Sequence, residues 1–411
     1  MTHSQINVPF ADDIAQETID KLAQTAVTNG VAPAISLHVI HNEDVIFDGA
    51  WGYLAPLTED QPVTPETLFD LASVTKLYTS VAFLSLVIHG AVSFDTPVAD
   101  VLPAFADHNP RPISGGQDPH SKAAQAVDPA YDGQRVDMRT ITCYHLLTHT
   151  AGLAPWRDVY KVAPAPTDPT QADKVSREMR WSSALDRLLH DAPVAPPGTG
   201  VRYSDNGLMI LGEIVARLTY GSGKLDDALR SLVTSERLPH TCFRPLDAGY
   251  TRAQIAPTEN DPTWRKRRVW GEVHDENACG CGGVTGHAGL FSTARDVAQF
   301  GKLWLHDSKS AFGIPQALVL KATELHEATG AEVRGLGWML KSATNSSAGD
   351  LFSPSSYGHT GFTGTSLWID PQRQLIVALL TNRVYHGRER VGIHQLRREI
   401  HDSIVKGLPD A

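Results

Sequence analysis

The period of the hydrophobic positions changes along the chain, and the changes mark its elements. Residues 11–28 carry apolar side chains at helical spacing and predict a first helix. Next, Ile35, Leu37 and Val39 alternate with Ser36, His38 and Ile40. His-Asn-Glu-Asp (41–44) then reads as a turn, and 45–53 return as a second strand, so the segment predicts a β-hairpin. The far end mirrors this, with strands over 365–370 and 375–381 joined by Pro-Gln-Arg-Gln, and a closing helix over 391–406. The middle differs: 75–90, 140–148, 182–191, 207–219 and 225–236 have helical patterns. Pro- and Gly-bearing loops, notably 103–133 and 155–173, separate them, and no internal repeat is present. Strands at both ends and helices between predict an α+β fold. One antiparallel sheet would be built from both chain ends with terminal helices, using about 11–65 and 330–406, with a mainly helical region of about 66–329 inserted beside it.

Composition narrows the partners. The chain has 411 residues and a formal net charge of −10, which argues against a nucleic acid or an anionic membrane as partner. No run reaches the length of a membrane span. The longest apolar stretch, 81–88, is interrupted by Ser85 and reads as a buried helix. The first residues lack a basic segment followed by an apolar one, and the four cysteines make no disulfide framework, so the expected setting is reduced and cytoplasmic. Cys279-Gly-Cys281, with no second pair, reads as two incidental small residues in a Gly-rich loop.

Three segments carry chemistry. The first is Ser73-Val-Thr-Lys76, which runs into an apolar helix. A Ser and a Lys three residues apart share one helix face, and the helix start favours a developing anion at the Ser oxygen. A Lys there is buried or cleft-facing and needs a partner. The second, Tyr203-Ser204-Asp205, leads into a helix, with Asp205 as the expected N-cap and Tyr203 as a phenol able to relay a proton. The third is His359-Thr360-Gly361-Phe362, read as the start of an edge strand whose free N–H groups suit an oxyanion.

In this order and spacing, Ser73-Val-Thr-Lys76, Tyr203-Ser-Asp205 and His359-Thr-Gly361 resemble the serine β-lactamase and penicillin-binding-protein superfamily. The Tyr motif points to its class C-like branch, which also holds family VIII carboxylesterases, D-aminopeptidases and related hydrolases. The segments 141–153 and 289–298 look like two further stretches of that branch. Residues 273–278 and 286–289 resemble a subgroup with cell-wall amidases acting on muropeptide stems. The resemblance covers nearly the whole chain, 11–406, as one catalytic unit with the β-lactamase/transpeptidase-like fold. It implies that Ser73 is acylated, that Lys76 orients it and lowers its pKa, and that Tyr203 accepts and returns the proton. The backbone N–H groups of Ser73 and Phe362 would form the oxyanion hole, with Asp205, Thr360 and Gly361 lining the substrate site. No cofactor or metal is implied.

The chain departs from the family at two motif positions. The lysine of the third motif is His359, and the usual Asn of the second is Asp205. Together they lower the expected positive charge of the site, so a β-lactam carboxylate should bind poorly. If neutral, His359 could still donate a hydrogen bond to Tyr203 or to substrate. The expected function is a serine hydrolase acting on small-molecule carboxylic esters or small amides, with weak or absent β-lactamase activity. The alternatives are a muropeptide amidase or D-aminopeptidase, and a non-catalytic ligand-binding sensor on the same fold. Three other signals rank lower. His145 and His149, at i and i+4, lack the Glu of a metal motif. His274, Asp275 and His287 either line the pocket or serve structure. Arg265-Lys-Arg-Arg268 reads as a solvated basic face. The α/β-hydrolase elbow and Gly-rich phosphate loops are missing.

Overall fold

Both ends of the chain meet in one sheet, because the strand after the last turn pairs with the first strand. The computed structural model describes residues 13–55, 61–118, 121–234, 236–305, 312–330 and 332–409. Helix α1 (Asp13–Thr28) precedes the hairpin of β1 (Ala34–His41) and β2 (Asp44–Gly52); residues 11 and 12 of the expected helix lie outside the described residues. The hairpin turn places Asn42 and Glu43 at φ 50° and 72°, the left-handed pair that matches strand twist in a two-residue loop. At the far end, β7 (Ser366–Asp370) and β8 (Leu375–Thr381) lead to α6 (Ile393–Lys406). Strand β8 runs antiparallel to β1, with Ile35 opposite Thr381 and His41 opposite Leu375.

Alternation explains why the apolar run of β8 is so dense. Leu375, Val377 and Leu379 face a core shared with Ile19 and Ala23 of α1 and with Leu396, Ile400 and Ile404 of α6. Ile376, Ala378 and Leu380 face the other core, with Val81 of α2 (Thr75–Ile88) and with Val297, Phe300 and Trp304 of α5 (Ala294–Leu305). Both faces are covered, so the central strand has no polar side.

The inserted helices carry the expected patterns with shifted ends. Helix α3 spans Arg177–Leu189, its Ser176 cap accepting a hydrogen bond from Met179 N at 3.2 Å, and α4 spans Asp205–Thr219. The pattern over 140–148 shortens to Cys143–Leu147, and that over 225–236 becomes Leu225–Leu229 followed by a wider-wound Arg230–Thr234. Helix α2 packs on α4 and is buried from Thr75 through Leu86.

Two sequence expectations are corrected here. First, the motif strand β6 (Tyr357–Thr360) is interior, not at an edge, and His359-Thr360 end it rather than start it. The sheet continues past it through β5 (Met339–Leu340), β4 (Glu332–Arg334) and β3 (Glu327–Thr329), giving the order β3-β4-β5-β6-β7-β8-β1-β2. These three strands are only two or three residues long, too short for a periodicity to show. Second, the basic run is not a solvated face. Arg265 is buried and donates to the His274 and Asp275 carbonyls, Arg267 pairs with Glu272 at 2.8 Å, and Arg268 lies 4.0 Å from the Tyr385 ring centroid. Each guanidinium has a local acceptor or ring, which a count of charges along the chain does not reveal.

Candidate active site

Ser73 lies on a single 3₁₀ turn (Ala72–Val74) that passes directly into α2. The residue before it, Ala72, has φ 46°, a left-handed conformation that costs energy for a residue with a Cβ. Asp70 holds it there: its carboxylate accepts from Ala72 N at 2.9 Å and from His274 N at 2.6 Å. Burial pushes the Asp70 carboxyl up, and these two N–H groups pull it back.

Lys76 follows one turn later and is 1% exposed. Its Nζ donates to Ser73 Oγ at 2.7 Å and to the His287 carbonyl at 3.2 Å, and lies 2.8 Å from Asp205 Oδ1. Burial works against the ammonium, but the Asp205 carboxylate and the Tyr203 oxygen outweigh it and hold Lys76 above the ordinary lysine range. The lysine is therefore a cation beside the nucleophile, which favours a Ser73 oxyanion over a neutral hydroxyl.

The second motif supplies the partner in a way the sequence reading did not anticipate. Ser204, not Asp205, caps α4: its Oγ accepts from Gly207 N at 3.1 Å and donates to the Ala154 carbonyl at 2.7 Å. Asp205 becomes the first helical residue, free to turn its carboxylate onto Lys76. Gly212 of α4 lets the 284–288 loop lie against the helix, since a Cβ there would meet Gly286 Cα at 2.8 Å. That contact brings the His287 carbonyl to Lys76.

Tyr203 is enclosed by basic groups. Its ring centroid lies 4.8 Å from Lys76 Nζ, 5.1 Å from the Arg334 guanidinium carbon, and 4.7 and 6.0 Å from the rings of His149 and His359. Both histidines are neutral. Burial pushes each well below the usual histidine range, and the charges of Arg334 and Lys76 add to it. The tautomer of His359 is fixed, because its Nδ1 lies 2.8 Å from the Thr360 carbonyl and must carry the proton. Nε2 then offers a lone pair. The expected donation from His359 to Tyr203 is thus not made: this ring can only accept at Nε2, and that nitrogen has no hydrogen-bond partner among the described residues.

The third motif reaches the nucleophile through close backbone packing. Strand β5 covers only Tyr357 and Gly358 of β6, so His359 and Thr360 run on beyond it. Thr363 and Thr365 donate their hydroxyls to the Asp70 and Leu71 carbonyls at 2.7 and 2.9 Å. Gly361 sits between: a Cβ there would lie 2.1 Å from Thr365 Oγ1 and 2.6 Å from the Leu71 carbonyl. Buried Arg397 of α6 donates to the Gly361 and Thr365 carbonyls from behind.

These elements line a cavity of about 400 Å³ that includes Ser73, Tyr203, Asp205, His359, Thr360, Gly361 and Phe362. Of the weaker candidates, His274, Asp275 and His287 all reach it. Asp275 accepts from His287 at 2.9 Å, and although burial opposes its charge, His287 and Ala278 N hold it well below the usual carboxylate range. His145 instead closes a capping box with Thr142, while His149 accepts from Ser204 N at 3.1 Å, so the two do not converge on one ligand position. Sequence reasoning missed Arg334 and Arg388, which also line the cavity. The expected charge deficit is therefore too simple, since Lys76 neutralises Asp205 and two arginines enter from strands and loops that carry no motif.

A serine hydrolase site on a β-lactamase/transpeptidase-like fold is what this arrangement defines. The Beta-lactamase family matches residues 19–402, and the chain belongs to that family. It is 31% identical over 378 residues, 85% of this chain and 78% of the relative, to an Escherichia coli (strain K12) protein titled "Putative D-alanyl-D-alanine carboxypeptidase". Among solved structures it is similar to EstCE1, a hydrolase with promiscuous acyltransferase activity, at TM-score 0.69 and 20% identity, covering 96% of this chain and 99% of that one. It is similar also to the D-amino acid amidase of Ochrobactrum anthropi SV3, at TM-score 0.67 and 18% identity, with 96% and 99% covered. No helix among the described residues is long and apolar enough to cross a membrane.

Proposed function

We propose that the protein hydrolyses small carboxylic esters or amides through an acyl-enzyme on Ser73. The carrying observation is the 2.7 Å contact between Ser73 Oγ and the charged Lys76 at the cavity wall. Tyr203 takes the Ser73 proton as the hydroxyl attacks the carbonyl carbon. The oxygen of the tetrahedral adduct is met by the N–H groups of Ser73 and Phe362, and one such donor is worth about 2.7–4 kcal/mol in the transition state. Tyr203 then returns the proton to the leaving oxygen or nitrogen, and water repeats the sequence in reverse. Neutral His359 and paired Asp205 leave no lysine where the family places one, which supports weak β-lactam turnover. We assign the sequence-expected cytoplasmic setting on the cysteine usage alone.

The amide reading gains from one observation: the cavity wall carries charges of both signs, Arg334 and Arg388 with Asp275 and Glu276, a lining that suits an amino-acid-like substrate even though these groups are paired among themselves and with neighbours. A panel of an acyl ester, a D-amino acid amide, a muropeptide and a cephalosporin tests both readings, with Ser73→Ala as control. The expected result is turnover of the ester or the amide and a mass shift on Ser73. No adduct with any of them would turn the reading to a ligand-binding sensor.

A further inference from the structure

We propose that Arg334 is a positioning residue for the reaction: from β4, two strands from His359, it supplies the cation that residue 359 lacks, and thereby holds Tyr203 ready to accept the Ser73 proton. The inference rests on the proposed role of Tyr203.

Three observations lead to it. Arg334 ends β4, opposite Met339 of β5, which in turn lies opposite Gly358 of the motif strand β6. It therefore stands two strands from His359, on the same wall of the cavity. Its side chain is buried, 2% exposed, yet among the described residues it has one carboxylate partner, Glu332, which is itself half exposed, and its Nε has no partner. A guanidinium kept out of water with so little compensation costs stability, and structure alone does not require it there. Its guanidinium carbon also lies 5.1 Å from the Tyr203 ring centroid, with Lys76 Nζ 4.8 Å from the same centroid.

The groups facing Tyr203 can be named element by element. Lys76 comes from α2, His149 from the loop after Cys143–Leu147, His359 from β6, Arg334 from β4, and Asp205 from the start of α4 beside Tyr203 itself. The two histidines are neutral, and Asp205 is paired with Lys76. Glu332 pairs with Arg334 from β4 but is half exposed, so the buried guanidinium is the second cation, with Lys76, held against the Tyr203 ring. A cation at this distance stabilises a negative phenolic oxygen through a partly excluded medium. It does the same for the partial charge on that oxygen as the proton moves.

The test compares pH profiles of kcat/KM for the best ester in the wild type and in the Arg334→Met, Arg334→Lys and Tyr203→Phe variants, with thermal unfolding alongside. Arg334→Met is expected to lower kcat/KM and to move the ascending acid limb to higher pH, because a cation beside the group that takes the Ser73 proton is lost. Arg334→Lys is expected to restore the limb most of the way. A merely structural arginine would lower the rate or the Tm without moving the limb. An unmoved limb in Arg334→Met, with Tyr203→Phe inactive, overturns the role of Arg334 and leaves Tyr203 standing. Full activity in Tyr203→Phe overturns both.

Discussion

Lys76 Nζ and Asp205 Oδ1 lie 2.8 Å apart, with Lys76 buried and Asp205 about one-fifth exposed. The pair joins two motifs that are 129 residues apart in sequence, and it gives the buried cation beside Ser73 its counter-charge. Removing one member of such a pair leaves the other uncompensated, at a cost of about 3–5 kcal/mol when fully buried and less here. Asp205→Ala should therefore destabilise the fold by about 2–3 kcal/mol in a denaturant titration. Asp205→Asn should cost less, but it should bring the descending alkaline limb of activity to lower pH, since Lys76 loses the carboxylate that keeps it protonated. An alkaline limb unchanged in Asp205→Asn would mean that Lys76 does not titrate in a step that limits the rate.

Three buried histidines predict acid lability. Burial pushes His149 and His359 well below the usual range, and His401 down to about 3. Each is neutral in the folded protein and takes up a proton on unfolding below its unfolded pKa near 6.5. The unfolded state then binds more protons, so their contribution is present above about pH 6.5 and is lost as pH falls toward the folded values. Three such groups give a slope of roughly 4 kcal/mol per pH unit once pH is well below 6.5. Urea unfolding at pH 7 and pH 5.5 checks this. A midpoint that does not fall at pH 5.5 would mean that these rings are already protonated in the native state.

Gly361→Ala should abolish activity. The added Cβ has no room between Thr365 Oγ1 at 2.1 Å and the Leu71 carbonyl at 2.6 Å, and the latter is backbone and cannot yield without moving Ala72 and Ser73. A displacement of about 1 Å at the nucleophile costs on the order of 100-fold in rate. The expected outcome is a loss of at least that size in kcat with a smaller change in KM, measured on the best ester.

The parts of this molecule that were legible in the sequence are those written in local pattern. The β1–β2 hairpin, the β7–β8 pair and the terminal helices follow from alternation and helical spacing, and their pairing follows from strands lying at both ends. Ser73, Lys76, Tyr203 and His359 were legible because each sits in a short motif. Arg334 and Arg388 were not, because their place at the cavity depends on strand order and on partners such as Glu259, more than a hundred residues away. Ser204 was passed over as the cap because Asp205 is as good a cap by residue type, and only the demand of Lys76 for a carboxylate decides between them. Which nitrogen of His359 carries the proton depends on one contact to the Thr360 carbonyl, which no sequence pattern encodes.

The charge balance of the cavity leads to the last prediction. A β-lactam brings a carboxylate that the family's lysine would meet at position 359. Here that position is a neutral ring with a lone pair at Nε2, which gives an anion no attraction and no donor. Arg388 does not replace the lysine, because Glu259 and Glu276 already bind it, the latter at 2.7 Å. Arg334 is a cation, but it stands against the Tyr203 ring rather than at the motif strand. A charge-assisted hydrogen bond contributes about 1.5–3 kcal/mol, so its absence should cost roughly 10- to 100-fold in kcat/KM. A cephalosporin should accordingly be turned over at least that much more slowly than a neutral ester of similar reactivity. His359→Lys should narrow the gap by raising cephalosporin turnover while lowering ester turnover, since a second cation would then press on Lys76. Parallel hydrolysis assays on both variants decide it, and comparable turnover of cephalosporin and ester by the wild type would show that the carboxylate is held by another group.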